Sequence, residues 1–267
     1  MNQQFVFTGN AVAAAGANLK GFRPFPAKAM TTLPTIGGYA RATSRKFCIP
    51  GLVDFRGASS NAVGSGHRDG DKNLFMTTVT AGIKRLRFQN KKKKAVFHAQ
   101  NMRVTLHSEH VVGDASGKNE RDFPIEIDKD FTFSVHGSKA SWVLDDSLQD
   151  LTSMTTVEKW TKRYPDDIRV DRKDGYYFYS PVSEITIEGR PPIEGNIIPI
   201  AGLGRLHLFE VIRGFNSVRV TFARLVVDRS QADEQRSSKQ FEHEEPLDSQ
   251  IAVCGVASNG VEPGGDS

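Results

Sequence analysis

Apolar side chains recur at every second position in many separate stretches of this chain, and at a helical spacing in only one. In Met102-Arg103-Val104-Thr105-Leu106-His107 the apolar residues fall on one side and the polar residues on the other. That is the two-residue period of an extended strand with one buried face. The run Leu74 to Ile83 is rich in β-branched and apolar residues and continues as Lys84-Arg85-Leu86-Arg87-Phe88, with Leu86 and Phe88 on one face and the cations on the other. Ile125-Glu126-Ile127, Phe131 to Val135, Tyr176 to Tyr179, Glu184 to Glu188, Arg205 to Val211 and Ser217 to Val227 read as further strands. Arg213-Gly214-Phe215-Asn216 suits a hairpin loop between the last two. A polar turn at Gln89-Asn90 and four lysines separate Lys84–Phe88 from Ala95–His107, so this pair reads as a hairpin with the lysines at its tip.

The exception is a helix capped by Asp146 or Ser147 and running through Gln149 to about Arg163, with Leu148, Leu151, Met154, Val157 and Trp160 as its apolar positions. Tyr164-Pro165 stops it, because proline disfavours the α conformation in the residue before it. The first 70 residues are rich in Gly, Ala, Ser and Thr, and only short strands are expected there, around Phe5–Phe7, Tyr39–Phe47 and Leu52–Phe55. Small residues in strands signal close sheet packing or bulges. The expected fold is therefore mainly β: a sandwich or barrel-like antiparallel core with one helical insertion. One domain is expected over 1–230, with the insertion near 147–163. An acidic flexible linker over 231–250 holds Asp233, Glu234, Glu242, Glu244, Glu245 and Asp248. Residues 251–267 supply a final strand, Ile251 to Val256, and a loose C-terminus.

Charge is divided by position. Residues 1–106 carry 17 Lys and Arg against 3 Asp and Glu, whereas residues 107–267 carry 18 against 28. The formal net charge of +4 conceals this split, which bears on partners rather than on fold. No stretch approaches the roughly 18 consecutive apolar residues of a membrane-spanning helix. The patch Ala11-Val12-Ala13-Ala14-Ala15-Gly16-Ala17 has no basic residue before it, unlike a signal peptide, so a cytoplasmic location is expected. Cys48 and Cys254 share no metal-ligand spacing and are expected as free thiols.

The densest local feature is cationic: Lys84, Arg85 and Arg87 followed by Lys91, Lys92, Lys93 and Lys94. Seven cations can neutralise several phosphates and release their counterions, and Phe88 and Phe97 flank the run as candidate stacking faces. The plainer account is a solvated hairpin tip guarding a sheet edge. His107-Ser108-Glu109-His110 has metal-ligand residue types, and His98 could join from a neighbouring strand. A strand would point His107 and Glu109 away from His110, and the helical His-Glu-x-x-His spacing is absent, so a polar surface is expected. Asp145, Asp146, Asp150, Asp166, Asp167, Asp171 and Asp174 crowd the helix and its exit. A glycosidase would pair two of them beside Trp142, Trp160, Tyr176, Tyr177 and Tyr179, although capping and turn chemistry explain most of these aspartates. Gly202-Leu203-Gly204 precedes a strand rather than opening a helix, and no Gly-x-Ser-x-Gly elbow occurs. The expectation is a non-catalytic structural or binding protein acting through β surfaces, as a homo-oligomer and without cofactor. The alternative is polyanion or nucleic-acid binding through the basic half, and a carbohydrate-active hydrolase ranks last.

Overall fold

The computed structural model describes residues 6–18, 23–69, 72–90, 92–112, 124–145, 154–163, 168–171, 176–214, 217–227 and 249–261. Six long strands come first: β1 (Val6–Asn18), β2 (Arg23–Thr32), β3 (Gly38–Ile49), β4 (Val53–Asp69), β5 (Lys72–Gln89) and β6 (Ala95–Val112). Shorter strands β7 (Ile125–Ile127), β8 (Thr132–Val135) and β9 (Ser138–Leu144) precede the helix α1 (Met154–Arg163). Then come β10 (Arg169–Asp171), β11 (Tyr176–Tyr179), β12 (Val182–Ile187), β13 (Ile193–Glu194) and β14 (Ile197–Ile200). β15 (Gly204–Gly214), β16 (Ser217–Val227) and β17 (Ser249–Val261) complete the set.

Two antiparallel sheets result, and among the described residues neither closes into a barrel. One has the order β10-β11-β15-β16-β17-β1-β2, with β14 also on β15. The other has the order β13-β12-β9-β8-β6-β5-β4-β3, with β7 also on β6. They share one hydrophobic core, sandwich-like, in which Phe131 and Trp142 of the second sheet meet Phe209 and Phe222 of the first. Large apolar and aromatic residues, alternating in β7 and much of β16 and contiguous in β11, located these three strands at their observed bounds. The helix is described over Met154–Arg163, while its expected cap at Asp146 or Ser147 and its expected first residues up to 153 lie outside the described residues, as do 231–248 of the acidic stretch. The final strand starts at Ser249 and sits between β16 and β1, inside its sheet rather than at an edge.

β3 lies within two residues of the expected Tyr39–Phe47. By contrast, β1 and β4 are far longer than the strands expected at Phe5–Phe7 and Leu52–Phe55, and β2 had no sequence signal, because inward positions in this half are often small rather than large. Ala11, Ala13, Ala14, Ala58, Ala62, Ala81 and Ala99 are all buried. A Cβ on Gly9 would lie 2.7 Å from Val79 Cγ1, and one on Gly64 would lie 2.8 Å from both Leu33 and Phe7. Small side chains here let the two sheets approach closely, so the core of this half carries little of the bulk that marks a strand in sequence.

Each sheet contains a row where its long neighbouring strands change phase together, β3 to β6 in the second sheet and β15, β16, β17, β1 and β2 in the first. In the second sheet Ser44 pairs with Ala58 and Lys46 with Arg56, Ala58 with Ile83 and Arg56 with Arg85, and Ile83 with Met102 and Arg85 with Gln100. The residues between, Arg45, Gly57, Lys84 and Asn101, form one cross-strand row. Gly57 and Asn101 have φ of 66° and 53°, left-handed conformations on alternate strands. Inward positions consequently step by three, from Phe55 to Ala58, Ile83 to Leu86 and Ala99 to Met102. Two successive residues of each strand are turned outward.

The first sheet has the complementary row, Ala29, Ala13, Cys254, Phe222 and Phe209, bracketed by the pairs Val12–Met30 and Ala14–Lys28, Val12–Gly255 and Ala14–Val253, and their continuations on β16 and β15. There Ala29, Cys254 and Phe209 take φ of 48°, 50° and 49°, and all five residues are buried. Left-handed backbone costs roughly 1–3 kcal/mol at a non-glycine residue. The doubled inward residues Ala13-Ala14, Leu208-Phe209 and Phe222-Ala223 offset it by filling the core. The two rows meet: the Cys254 thiol donates to the Met102 carbonyl oxygen at 3.8 Å, next to Asn101. Burial pushes that thiol far above its ordinary range, with a weaker opposing pull from a backbone hydrogen bond at Ile83.

One ion pair stiffens the first sheet. Glu210 on β15 accepts from Arg224 Nε at 2.6 Å and Nη2 at 2.5 Å, with His207 Nδ1 3.4 Å from the same carboxylate. Burial pushes the Glu210 carboxyl up, but the hydrogen bonds from Arg224 and His207 outweigh it and hold the group at about 2. A carboxyl depressed in the folded state stabilises above its unfolded pKa, and that contribution is lost as pH falls through the folded value. Glu210→Gln should therefore lower stability at neutral pH by roughly 1–3 kcal/mol. It should also flatten the loss of stability between about pH 4.5 and 2, read as thermal midpoint against pH. Equal midpoints for both proteins at neutral pH would refute this.

Candidate polyanion-binding face

The outward phase change of the second sheet doubles the number of side chains it can present in a small area. Arg45 and Lys46 come from β3, Arg56 from β4, and Lys84 and Arg85 from β5, all exposed and all within two adjacent cross-strand rows. Neighbouring strands lie about 4.8 Å apart, so five cations occupy three strands spanning about 10 Å. Gly57 makes the arrangement possible twice over. Its left-handed φ turns the chain, and its missing side chain leaves room for the Lys84 stem, whose carbons would lie 3.0 Å from an added Cβ. Gln100 and Asn101 of β6 extend the rows with amides.

Past the inward row Phe47, Phe55, Leu86 and Ala99, the next outward row towards the β5–β6 hairpin holds Asp54, Arg87 and His98 in register. The half-buried Arg87 thus sits between a carboxylate and an imidazole. Asp54 Oδ1 and His98 Nε2 are buried with no hydrogen-bond partner among the described residues. Burial lowers the His98 pKa, and Arg87 and then Arg85 lower it further. On the other side Arg103 lies 4.0 Å from Asp128, a loose pairing at 60% exposure for the arginine. Among the described residues, neither of the two cation rows contains a carboxylate from β3 to β6.

The seven cations singled out from sequence thus divide. Lys84 and Arg85 belong to the face, and Arg87 borders it. Lys92, Lys93 and Lys94 are exposed at the hairpin tip, where Asn90 Oδ1 accepts from the Lys92 and Lys94 amides at 3.0 Å each and Lys93 is left-handed. Lys91 lies outside the described residues. Asn90 is six positions beyond Lys84, about 20 Å along the strand. Phe88 and Phe97 are not stacking faces: they are 0% and 1% exposed and pack together at 5.7 Å between centroids, on the core side with Leu86. The alternation that placed Phe88 with Leu86 already put it on the core side. Arg45, Lys46 and Arg56 escaped sequence reading because only strand pairing brings them beside Lys84.

The other candidates do not assemble. His107 receives or gives a hydrogen bond with Thr78 Oγ1 at 3.0 Å and faces Glu126 at 3.5 Å, while His110 is buried on the opposite side of β6. No group of three His, Cys, Asp or Glu side chains among the described residues is placed to hold a metal. Trp142 belongs to the inter-sheet aromatic cluster, and Tyr179 is buried. Asp146, Asp150, Asp166, Asp167 and Asp174 lie outside the described residues, as do the side chains of Asp171 and Trp160. Tyr176 lines a shallow groove of about 390 Å³ with Phe178, Ile212 and Arg219, and no carboxylate is among its lining residues. Gly202 to Gly204 form a turn into β15, not a helix start. Cys48 is exposed and Cys254 buried, both unpaired as disulfides. Among the described residues, no helix is long and apolar enough to cross a membrane.

A family model described as a domain of unknown function (DUF8256) matches residues 5–119, the stretch that holds β1 to β6 and with them every cation of the face. No curated protein and no solved structure matches the chain.

Proposed function

We propose that this is a non-catalytic binding protein that holds a polyanion on the cationic face of its phase-shifted sheet. The observation that carries this reading is the placement of Arg45, Lys46, Arg56, Lys84 and Arg85 in two adjacent rows without an interspersed carboxylate. Such crowding opposes folding: Arg56 and Arg85 are directly opposite each other, and like charges in that relation destabilise by roughly 0.2–1 kcal/mol. A bound polyanion would relieve that repulsion.

The test is a variant with all five cations replaced by Gln, measured against a fluorescent polyanion across a salt series. Affinity at low salt should fall sharply, and the slope of log affinity against log salt should flatten by roughly 0.7–0.9 for each anionic group no longer neutralised. Lys91→Gln, Lys92→Gln, Lys93→Gln and Lys94→Gln together should have the smaller effect, because the tip is distant from the face. The thermal midpoint of the face variant without ligand should be equal or higher. Wild-type protein that binds no polyanion at low salt overturns the reading.

A further inference from the structure

We infer that the polymer this face takes is an anionic polysaccharide, its acidic groups on the cation rows and its hydroxyls on the polar rows beside them. This rests on the polyanion reading above and concerns what the polymer is made of. Beyond Arg45, Gly57, Lys84 and Asn101, past the inward row Ser44, Ala58, Ile83 and Met102, the same outer face continues as Thr43, Ser59, Gly82 and Arg103 in register. After one inward row come Arg41, Asn61, Thr80 and Thr105. Thr80 and Thr105 share a hydrogen bond at 3.1 Å, and each hydroxyl can still take part in another. Gly82 contributes no side chain and is covered beside the stem of Arg103, whose Cβ and Cγ would lie 3.6 and 3.7 Å from an added Cβ. Cations, hydroxyls and an amide are thus side by side on one pleated surface, the mixture that a sugar bearing both acidic and hydroxyl groups can satisfy.

Single-stranded nucleic acid asks for something else. Sequence-tolerant binding of single strands draws on aromatic faces that stack with bases. Here the aromatics beneath the cations, Phe55, Phe88 and Phe97, are all buried on the core side. Tyr39, the exposed aromatic on the outer side of β3, borders the polar row two positions from Arg41 and is six positions, about 20 Å, from Arg45. It is a single aromatic face at the margin, and no described aromatic stands among the cations. A duplex presents phosphates to the cations but leaves the Thr and Asn rows with little beyond more phosphate oxygens.

The experiment compares heparin, desulfated heparin, inorganic polyphosphate, single-stranded DNA and duplex DNA of matched total charge against the full chain. Heparin should bind tightest, and desulfation should remove most of that affinity. Asn61→Ala with Thr80→Val should weaken heparin about tenfold, as expected for loss of one or two hydrogen bonds, and polyphosphate far less. Thr43→Ala, at an exposed position, gives the same comparison if the double variant proves unstable. Equal affinity for all polyanions, or heparin and polyphosphate weakened alike by the polar substitutions, overturns the polysaccharide assignment and leaves the cationic face standing. Tightest binding to either DNA overturns it in favour of nucleic acid. Binding to none of the five overturns the polyanion reading itself.

Discussion

A chain lacking Ser249–Val261 should fail to fold. These residues form β17, which is hydrogen-bonded to β16 on one side and β1 on the other. Without it, two long inner edges are bared and the buried Cys254, Val256 and Ser258 are missing from the core. The hydrogen bonds it supplies cannot be replaced locally, and a buried backbone group left unpaired is costly. Summed over an entire inner strand, that cost exceeds the roughly 5–15 kcal/mol by which a typical domain is stable. The truncated chain should show no cooperative thermal transition by circular dichroism and should accumulate as aggregate. A cooperative melt near that of the full chain would refute the placement of β17. The same topology predicts slow folding, because β1 meets a partner from the far end of the sequence and such long-range pairing must close a large loop first.

Phe222→Ala should be the most damaging single substitution in the core. Phe222 is fully buried, with ring centroids 4.8 Å from Phe131, 5.5 Å from Trp142 and 5.7 Å from Phe209, so it ties both sheets together. Truncating a buried Phe costs about 3–5 kcal/mol. For a chain of this size that corresponds to roughly 6–20 °C in thermal midpoint. Phe222→Leu, which leaves a smaller void, should recover part of the loss. A midpoint for Phe222→Ala within about 2 °C of wild type, the shift expected from no more than about 1 kcal/mol, would show that the two sheets do not meet there.

Strands built on large alternating residues were legible, as Ile125-Glu126-Ile127 and Ser217 to Val227 show. Strands whose inward residues are Ala and Gly were not. Residues 6–18 bury Ala11, Ala13 and Ala14, and their run of small residues shows no two-residue alternation of large apolar and polar side chains. The phase change hid the extent of β4 for another reason: Phe55 and Ala58 are three apart, which breaks the alternation at Arg56-Gly57. On the face, Lys84 and Arg85 were found because they are contiguous with other cations. Arg45, Lys46 and Arg56 were missed because register, not sequence distance, makes them neighbours.

The phase change also restricts what can join the sheet from outside. β3 ends the second sheet, so its outer edge offers backbone groups to any passing extended chain. Pairing along its whole length would require the newcomer to match the turn at Arg45, as β4 does with Gly57 and β6 with Asn101 beside Lys84. A β-branched segment, the usual aggregating sequence, resists left-handed backbone and would have to stop there. A second copy of β3 laid antiparallel would bring more Arg and Lys to the same edge. The bend that gathers the cations therefore also limits strand addition, leaving the edge open to solvent without leaving it open to fibrils.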